Sequence, residues 1–301
     1  MSNSSVEQVI EKHRASGRYI DVEGVETFIL EAGFAGKESP QEAVFCIHGV
    51  PTSSFLYRKV LPALATRGFR AIAVDLPGFG LSTRPGDFDY SFPSYARFCA
   101  MLAEALGLER FHLVVHDIGG PVGFGMAAEL QEKILSLTIL NTWIEVDQFE
   151  KPLPMRPFEV PVIGEAQLAA LTHLSWYAAF KGVGVANADG IPKEEIYAYV
   201  DLLKREDGGK AFLKVMRNFD KSKEYAARCR KAVQNVPYPV QAIWGMDDPG
   251  LRYERYGKEV EQLARLAPEQ MHQVNGSHLL QEEQYVAIAE KVAGLASMKE
   301  K

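Results

Sequence analysis

Asp117 stands in Val114-Val115-His116-Asp117-Ile118-Gly119-Gly120, between an apolar run and a stretch of small residues. A carboxylate placed there can displace a leaving group from a saturated carbon and stay esterified until water frees it. Small neighbours let a helix approach closely enough for a sharp strand-to-helix turn, which thrusts the side chain up at the end of a sheet. Taken alone, the residue reads equally as a helix N-cap, a place Asp fills well. Two later features add to it. Asp248 falls in Trp244-Gly245-Met246-Asp247-Asp248-Pro249, a strand-like run passing straight into turn residues. His278 falls in Asn275-Gly276-Ser277-His278-Leu279, a loop opening into a helix. In that order they would compose a nucleophile, an acid and a base. His278 would activate water, and Asp248 would fix its tautomer and stabilise the imidazolium.

Groups so far apart in sequence need a sheet to bring them together. Tyr19–Glu31 alternates apolar and polar residues through Val25, Thr27 and Ile29, as the strands of a hairpin do. Ala43–Ile47 and Ala71–Val74 are continuous apolar runs of the kind found in buried parallel strands. Turn residues end each of them, His48-Gly49-Val50-Pro51 and Asp75-Leu76-Pro77-Gly78-Phe79-Gly80. Phe55–Arg67 has helical spacing, and Tyr95–Leu106 is an amphipathic helix. Phe111–Val115 and Gly119–Leu130 are the strand and helix around Asp117. Leu135–Leu140 is a further strand, ending at Asn141-Thr142-Trp143. The pattern changes at about Ile144: Lys151–Gly164 is rich in proline, and the chain reads as helical to about Val236. Within this stretch Leu168, Leu171, Leu174 and Phe180 have the spacing of a helix burying an apolar face toward a pocket. The charge run Lys221–Lys231 reads as a solvated helix face. Strand character returns at Val240–Trp244, followed by a helix from Tyr253 and a last helix, Gln284–Leu295. The alternation predicts an α/β fold with a mostly parallel central sheet flanked by helices. Its core would be residues 1–143 and 237–301, with an inserted helical cap at 144–236.

The 301 residues, 47% of them hydrophobic, suffice for one large α/β domain. A net charge of −6 offers no footprint for nucleic acid or an anionic membrane. Three cysteines (Cys46, Cys99, Cys229) without metal-ligand spacing suggest reduced thiols and a cytoplasmic protein. Met1–Glu23 lacks the apolar core of a secretory signal, and no run approaches the ~18 apolar residues of a membrane span. The histidines at 13, 112, 116, 173 and 272 show no metal-ligand spacing, and His116 is expected to support the turn at Asp117. Gly78-x-Gly80 lacks the third glycine of a dinucleotide site and reads as a turn.

His48–Ser54, Asp75–Ser82, Val115–Gly120 and Ser277–Glu283 together resemble the α/β-hydrolase superfamily, in the branch of haloalkane dehalogenases and epoxide hydrolases. The resemblance runs from about Gly24 to Leu295, weakest in the cap. Leu56-Tyr57-Arg58-Lys59 and the last segment bring it closest to haloalkane dehalogenases. It implies Asp117 as nucleophile, His278 as base and the backbone N–H groups of Val50 and Ile118 as oxyanion donors. The family pattern places the acid three residues after a glycine, here Gly245, which favours Asp248 over Asp247. Glu145 is a further rival. The implied function is hydrolysis of a small hydrophobic substrate through an alkyl-enzyme ester, without metal or cofactor. The partners would be substrate and water, and oligomeric state is not legible.

The resemblance breaks at the leaving group. Haloalkane dehalogenases usually hold the halide with an aromatic N–H after the nucleophile and a second donor after His-Gly. Ile118 and Val50 fill those positions here and have no side-chain donor, a loss of about 2–4 kcal/mol per missing preorganised donor. Trp143 and Trp176 are candidate replacements. Epoxide hydrolases protonate the opening ring with cap tyrosines. Met216 stands where one is expected, and Tyr177 is the candidate for the other, with Tyr197 and Tyr199 as further possibilities on a helix at Lys193–Leu203. Haloalkane is the first expectation for the substrate and epoxide the second. A third reading is a non-catalytic relative that binds a hydrophobic ligand.

Overall fold

The computed structural model describes residues 5–34 and 42–297. Eight strands form one sheet: β1 (Gly17–Val22), β2 (Val25–Ala32), β3 (Ala43–Ile47), β4 (Arg70–Val74), β5 (Phe111–His116), β6 (Ile134–Leu140), β7 (Val240–Gly245) and β8 (Met271–Val274). Their spatial order is β1-β2-β4-β3-β5-β6-β7-β8. The β1–β2 and β2–β4 pairs are antiparallel, and every pair from β4 to β8 is parallel.

Every residue of β3, β5 and β7 is buried. Both faces of these strands are covered, which is why their sequences are apolar runs rather than alternations. Period two still sorts the side chains. Phe45 and Ile47 join a core with Phe98, Leu102, Leu113 and Val122, whereas Val44 and Cys46 join one with Val60, Leu64, Ile288 and Val292. The first core is closed by helices α3 (Phe92–Ala105) and α4 (Gly119–Glu129). The second is closed by α2 (Val60–Ala65) and α12 (Tyr285–Ala296), while α1 (Val6–Ala15) leads into β1. Between β6 and β7 lie only helices: α5 (Ile163–Ala170), α6 (His173–Ala179), α7 (Lys193–Lys204), α8 (Lys210–Arg217), α9 (Lys223–Lys231) and shorter turns. Helices α10 (Lys258–Leu263) and α11 (Leu280–Glu283) flank β8.

Several expectations differ from the structure. Phe55–Arg67 is a 3-10 turn, Ser54–Tyr57, followed by α2. Pro62 explains the break, because its missing N–H is tolerated only in a helix's first turn. Strand β8 is a short, half-exposed edge with too few apolar residues to stand out. Helix α1, opened by a capping box between Ser5 and Gln8, also lay outside the reading. The cysteines are buried and unbridged. No helix among the described residues is long and apolar enough to cross a membrane.

The chain leaves β3 outward to β4 and returns to β5 on the other side of β3. At such a reversal the loops after neighbouring strands diverge and leave a crevice at their carboxyl ends.

Candidate active site

Asp117 occupies that crevice, one residue after β5, with φ at +52°. A non-glycine residue held there costs about 1–3 kcal/mol and needs its surroundings to fix it. Its N–H donates to Asn141 O at 3.1 Å, and its carbonyl accepts from Gly120 N–H at 2.9 Å and the Thr142 hydroxyl at 2.6 Å. Glycine is required where the turn is tightest. A Cβ on Gly120 would lie 1.9 Å from Thr142 Oγ1, and one on Gly49 would lie 2.2 Å from Asp117 Cβ. The carboxylate does not cap α4, whose N-cap is Ile118 without a side-chain bond. Instead Oδ1 accepts the Val50 N–H at 2.7 Å.

His278 comes from the loop after β8. Its Nε2 lies 3.6 Å from Asp117 Oδ2, and its Nδ1 is 2.8 Å from Asp248 Oδ2. Asp248 follows β7 and is buried. Its Oδ1 accepts from Gly250 and Leu251 N–H at 2.8 and 2.9 Å, and its Oδ2 accepts from Asn141 Nδ2 at 2.8 Å. Neither rival acid reaches the imidazole: Asp247 is exposed, and Glu145 pairs with Arg230. His116 supports the loop of His278 rather than the turn, its Nε2–H donating to the His278 carbonyl at 2.8 Å. His48 accepts from Leu76 N–H at Nε2 (3.1 Å), so its proton sits on Nδ1, facing Gly49 O at 2.7 Å.

Burial pushes the Asp117 carboxyl up, opposed by His278 and the backbone N–H groups of Val50 and Ile118. For Asp248 burial also pulls upward, but His278, Leu251 N–H and Asn141 outweigh it and hold it below the carboxylate range. Burial alone would lower His278; Asp248 and Asp117 together raise it above the ordinary histidine value. The two neighbouring acids thus favour the protonated form of the imidazole.

These side chains line a cavity of about 730 Å³ whose wall is mostly apolar. Val50, Trp143, Trp176 and Met216 all line it. The indole N–H groups of both tryptophans are buried and have no protein hydrogen-bond partner among the described residues. Tyr177, by contrast, is outside the cavity. It packs against Tyr197 and beneath Lys181 and Lys193, because one step along α6 turns it about 100° away from Trp176. Tyr197 stacks on His173, and the Tyr199 hydroxyl is bonded to Glu282, so neither lines the cavity. The single apolar helix face expected in this stretch is also revised. Leu171 and Phe180 line the cavity, but Leu174 is 76% exposed, because the chain forms two short helices rather than one.

Asn141 and Thr142 complete the site although no motif marks them; their signal is a pair of polar residues ending an apolar strand. The lining also holds charged residues that no motif marks. Arg156 and Arg255 pair with Glu150 at 3.6 and 3.7 Å, and Arg252 and a buried Lys151, whose Nζ sits 3.7 Å over the Phe219 ring, join them in the lining.

A family model described as alpha/beta hydrolase fold matches residues 42–285. The uncharacterized hydrolase YNR064C of Saccharomyces cerevisiae is 26% identical over 283 residues, covering 91% of this chain and 94% of that protein. Haloalkane dehalogenase 2 of Mycobacterium bovis is 40% identical over 100 residues, covering 33% of this chain and 35% of its own. Two solved structures share the fold. Haloalkane dehalogenase DbeA of Bradyrhizobium elkani has TM-score 0.75 at 22% identity, over 94% of this chain and 97% of its own. The epoxide hydrolase CorEH has TM-score 0.72 at 20% identity, over 93% and 97%.

Proposed function

The chain belongs to the α/β-hydrolase fold family and is a hydrolase, and on that footing we propose that it cleaves a small haloalkane through an ester to Asp117. The observation carrying this reading is the Asp117 carboxylate at the elbow, with one oxygen on the Val50 amide and the other facing His278 Nε2. Asp117 Oδ2 attacks the substrate carbon, a C–O bond forms, and the halide departs with the electron pair of the C–X bond. Water then adds to Asp117 Cγ while His278 Nε2 takes its proton. The negative charge gathers on Oδ1, where the Val50 and Ile118 amides receive it. Collapse expels the alcohol oxygen, which takes the proton from His278, and the Asp117 carboxyl left behind passes its own proton to the freed imidazole, restoring the carboxylate.

The electrostatics support two separate steps. An ester at Asp117 is neutral, so one of the two attractions that raise His278 vanishes when the ester forms. The imidazole then loses its proton more readily and becomes able to accept one from water.

Halide rather than epoxide is favoured by the cavity's lining. Trp143 and Trp176 belong to it and carry indole N–H groups buried without a protein partner among the described residues, whereas Tyr177 lies outside and Met216 fills the place of a tyrosine. Residues 144–236 act in this reading as a cap that shuts water away from the reacting carbon. The test is a panel of short bromoalkanes, chloroalkanes and terminal epoxides, assayed for halide or diol. Halide release is expected, falling about 100-fold in Trp176→Phe at unchanged Tm. Faster diol release from the epoxides would overturn the substrate assignment, and binding without any product would favour a ligand-binding relative.

A further inference from the structure

In Ser277-His278-Leu279-Leu280-Gln281-Glu282-Glu283 the imidazole of His278 meets the reacting groups, while Ser277, Leu279 and Glu283 bond to the cap. The Ser277 hydroxyl donates to Val183 O at 2.7 Å, with Asp247 O at 3.2 Å, and Leu279 N–H donates to Gly184 O at 2.7 Å. The Glu283 carboxylate accepts from the N–H groups of Ala186 (3.0 Å), Asn187 (2.7 Å) and Ser277 (3.2 Å). Both residues flanking the base are thus tied to Val183–Asn187, the exit of a single π-helical turn at Phe180–Gly184. Val183 and Gly184 line the cavity themselves.

A second tie runs from the adjacent glutamate. Glu282 has a fully buried side chain held by Arg58 in a two-pronged pair and by Lys59 at 2.9 Å. The same Arg58 reaches Glu195 and Tyr199 on α7. Asp117, in contrast, is fixed by Val50, Gly120, Asn141 and Thr142, all outside the cap. The nucleophile is anchored in the core alone, whereas the base is held by Asp248 and His116 of the core and, through its flanking residues, by the cap as well.

We infer that Ser277 and Glu283 are positioning residues that couple the cap segment Val183–Asn187 to the orientation of His278, so that cap closure gates hydrolysis of the ester but not its formation. The inference rests on the ester reading above. A drift of about 1 Å at the base can cost on the order of 100-fold in proton transfer. Attack by Asp117 has no need of His278 and is untouched by that drift.

Rapid-quench turnover of a haloalkane that the wild type accepts would be compared in wild type, Glu283→Ala and Glu283→Gln. In Glu283→Ala halide release in the first turnover should stay within about twofold, while hydrolysis slows about tenfold and ester accumulates in intact mass spectra. Gln, which keeps one acceptor, should recover part of the rate. NMR titration of His278 without substrate gives an independent readout. Its raised pKa should fall in Glu283→Ala as the imidazole loosens from the two carboxylates. A shifted titration with no ester in any variant would sink the ester chemistry and leave the coupling standing. Equal slowing of both steps, or unchanged hydrolysis with an unchanged titration, would overturn the coupling. Should Glu283→Ala not fold, Ser277→Ala, which deletes one hydroxyl, carries the same comparison.

Discussion

At Asp248 four interactions converge on one buried carboxylate: His278, Asn141, Gly250 and Leu251. Asn141 also exchanges two bonds with the Gly245 backbone, at 2.8 and 3.2 Å, and so locks β6 to the end of β7. Asn141→Ala strands these groups, at about 1–3 kcal/mol for unsatisfied buried partners, and should lower Tm by roughly 3–8 °C in thermal melts. The charge on His278 sets a second expectation. A folded pKa raised above 6.5 contributes stability that is complete below that value and is lost as pH climbs through the raised one. The Tm gap between wild type and His278→Gln should therefore narrow as buffer pH is raised past 6.5. A gap that widens over that range would mean the imidazole is not held as a cation in the resting site. In sequence, Asp117 was legible because it sits where an apolar run meets small residues, and His278 because it stands in a loop opening into a helix. Tyr177 misled because neighbouring helical residues point about 100° apart, and no residue type announces which faces inward.

In the proposed reaction, the elbow is the element on which attack depends. Gly49 lies against the Asp117 side chain after β3, so any Cβ there must push the two loops apart. Gly49→Ala should displace the Val50 N–H from Oδ1 and lower kcat about 100-fold, with a smaller change in KM. Steady-state kinetics on the accepted haloalkane measure both, and unchanged kcat would remove Val50 from the oxyanion site. The central strands were readable because burial on both faces leaves them few polar residues. β8 was not, since an edge strand of four residues can be polar without penalty. Helix α2 began later than its spacing suggested, because Pro62 restricts where a helix can start. The helical stretch between β6 and β7 was visible as a loss of strand pattern, but its short helices and the turn at Phe180–Gly184 carry no sequence mark.

Across the whole molecule, the sheet's reversal point, the elbow and the helices between β6 and β7 enclose a cavity that is mostly apolar, with Arg156, Arg252 and Arg255 among its lining residues. An apolar interior strengthens the charges placed within it, which suits displacement of a halide by a carboxylate. Only the identity of the bond-forming atom separates this account from simple ligand binding. The direct measurement is intact and peptide mass spectrometry of His278→Gln after incubation with a haloalkane that the wild type hydrolyses. The account predicts a stable mass increase of one alkyl group, mapped to the peptide containing Asp117 and absent from Asp117→Asn/His278→Gln. An unmodified protein, or an alkyl group on any other residue, would contradict it.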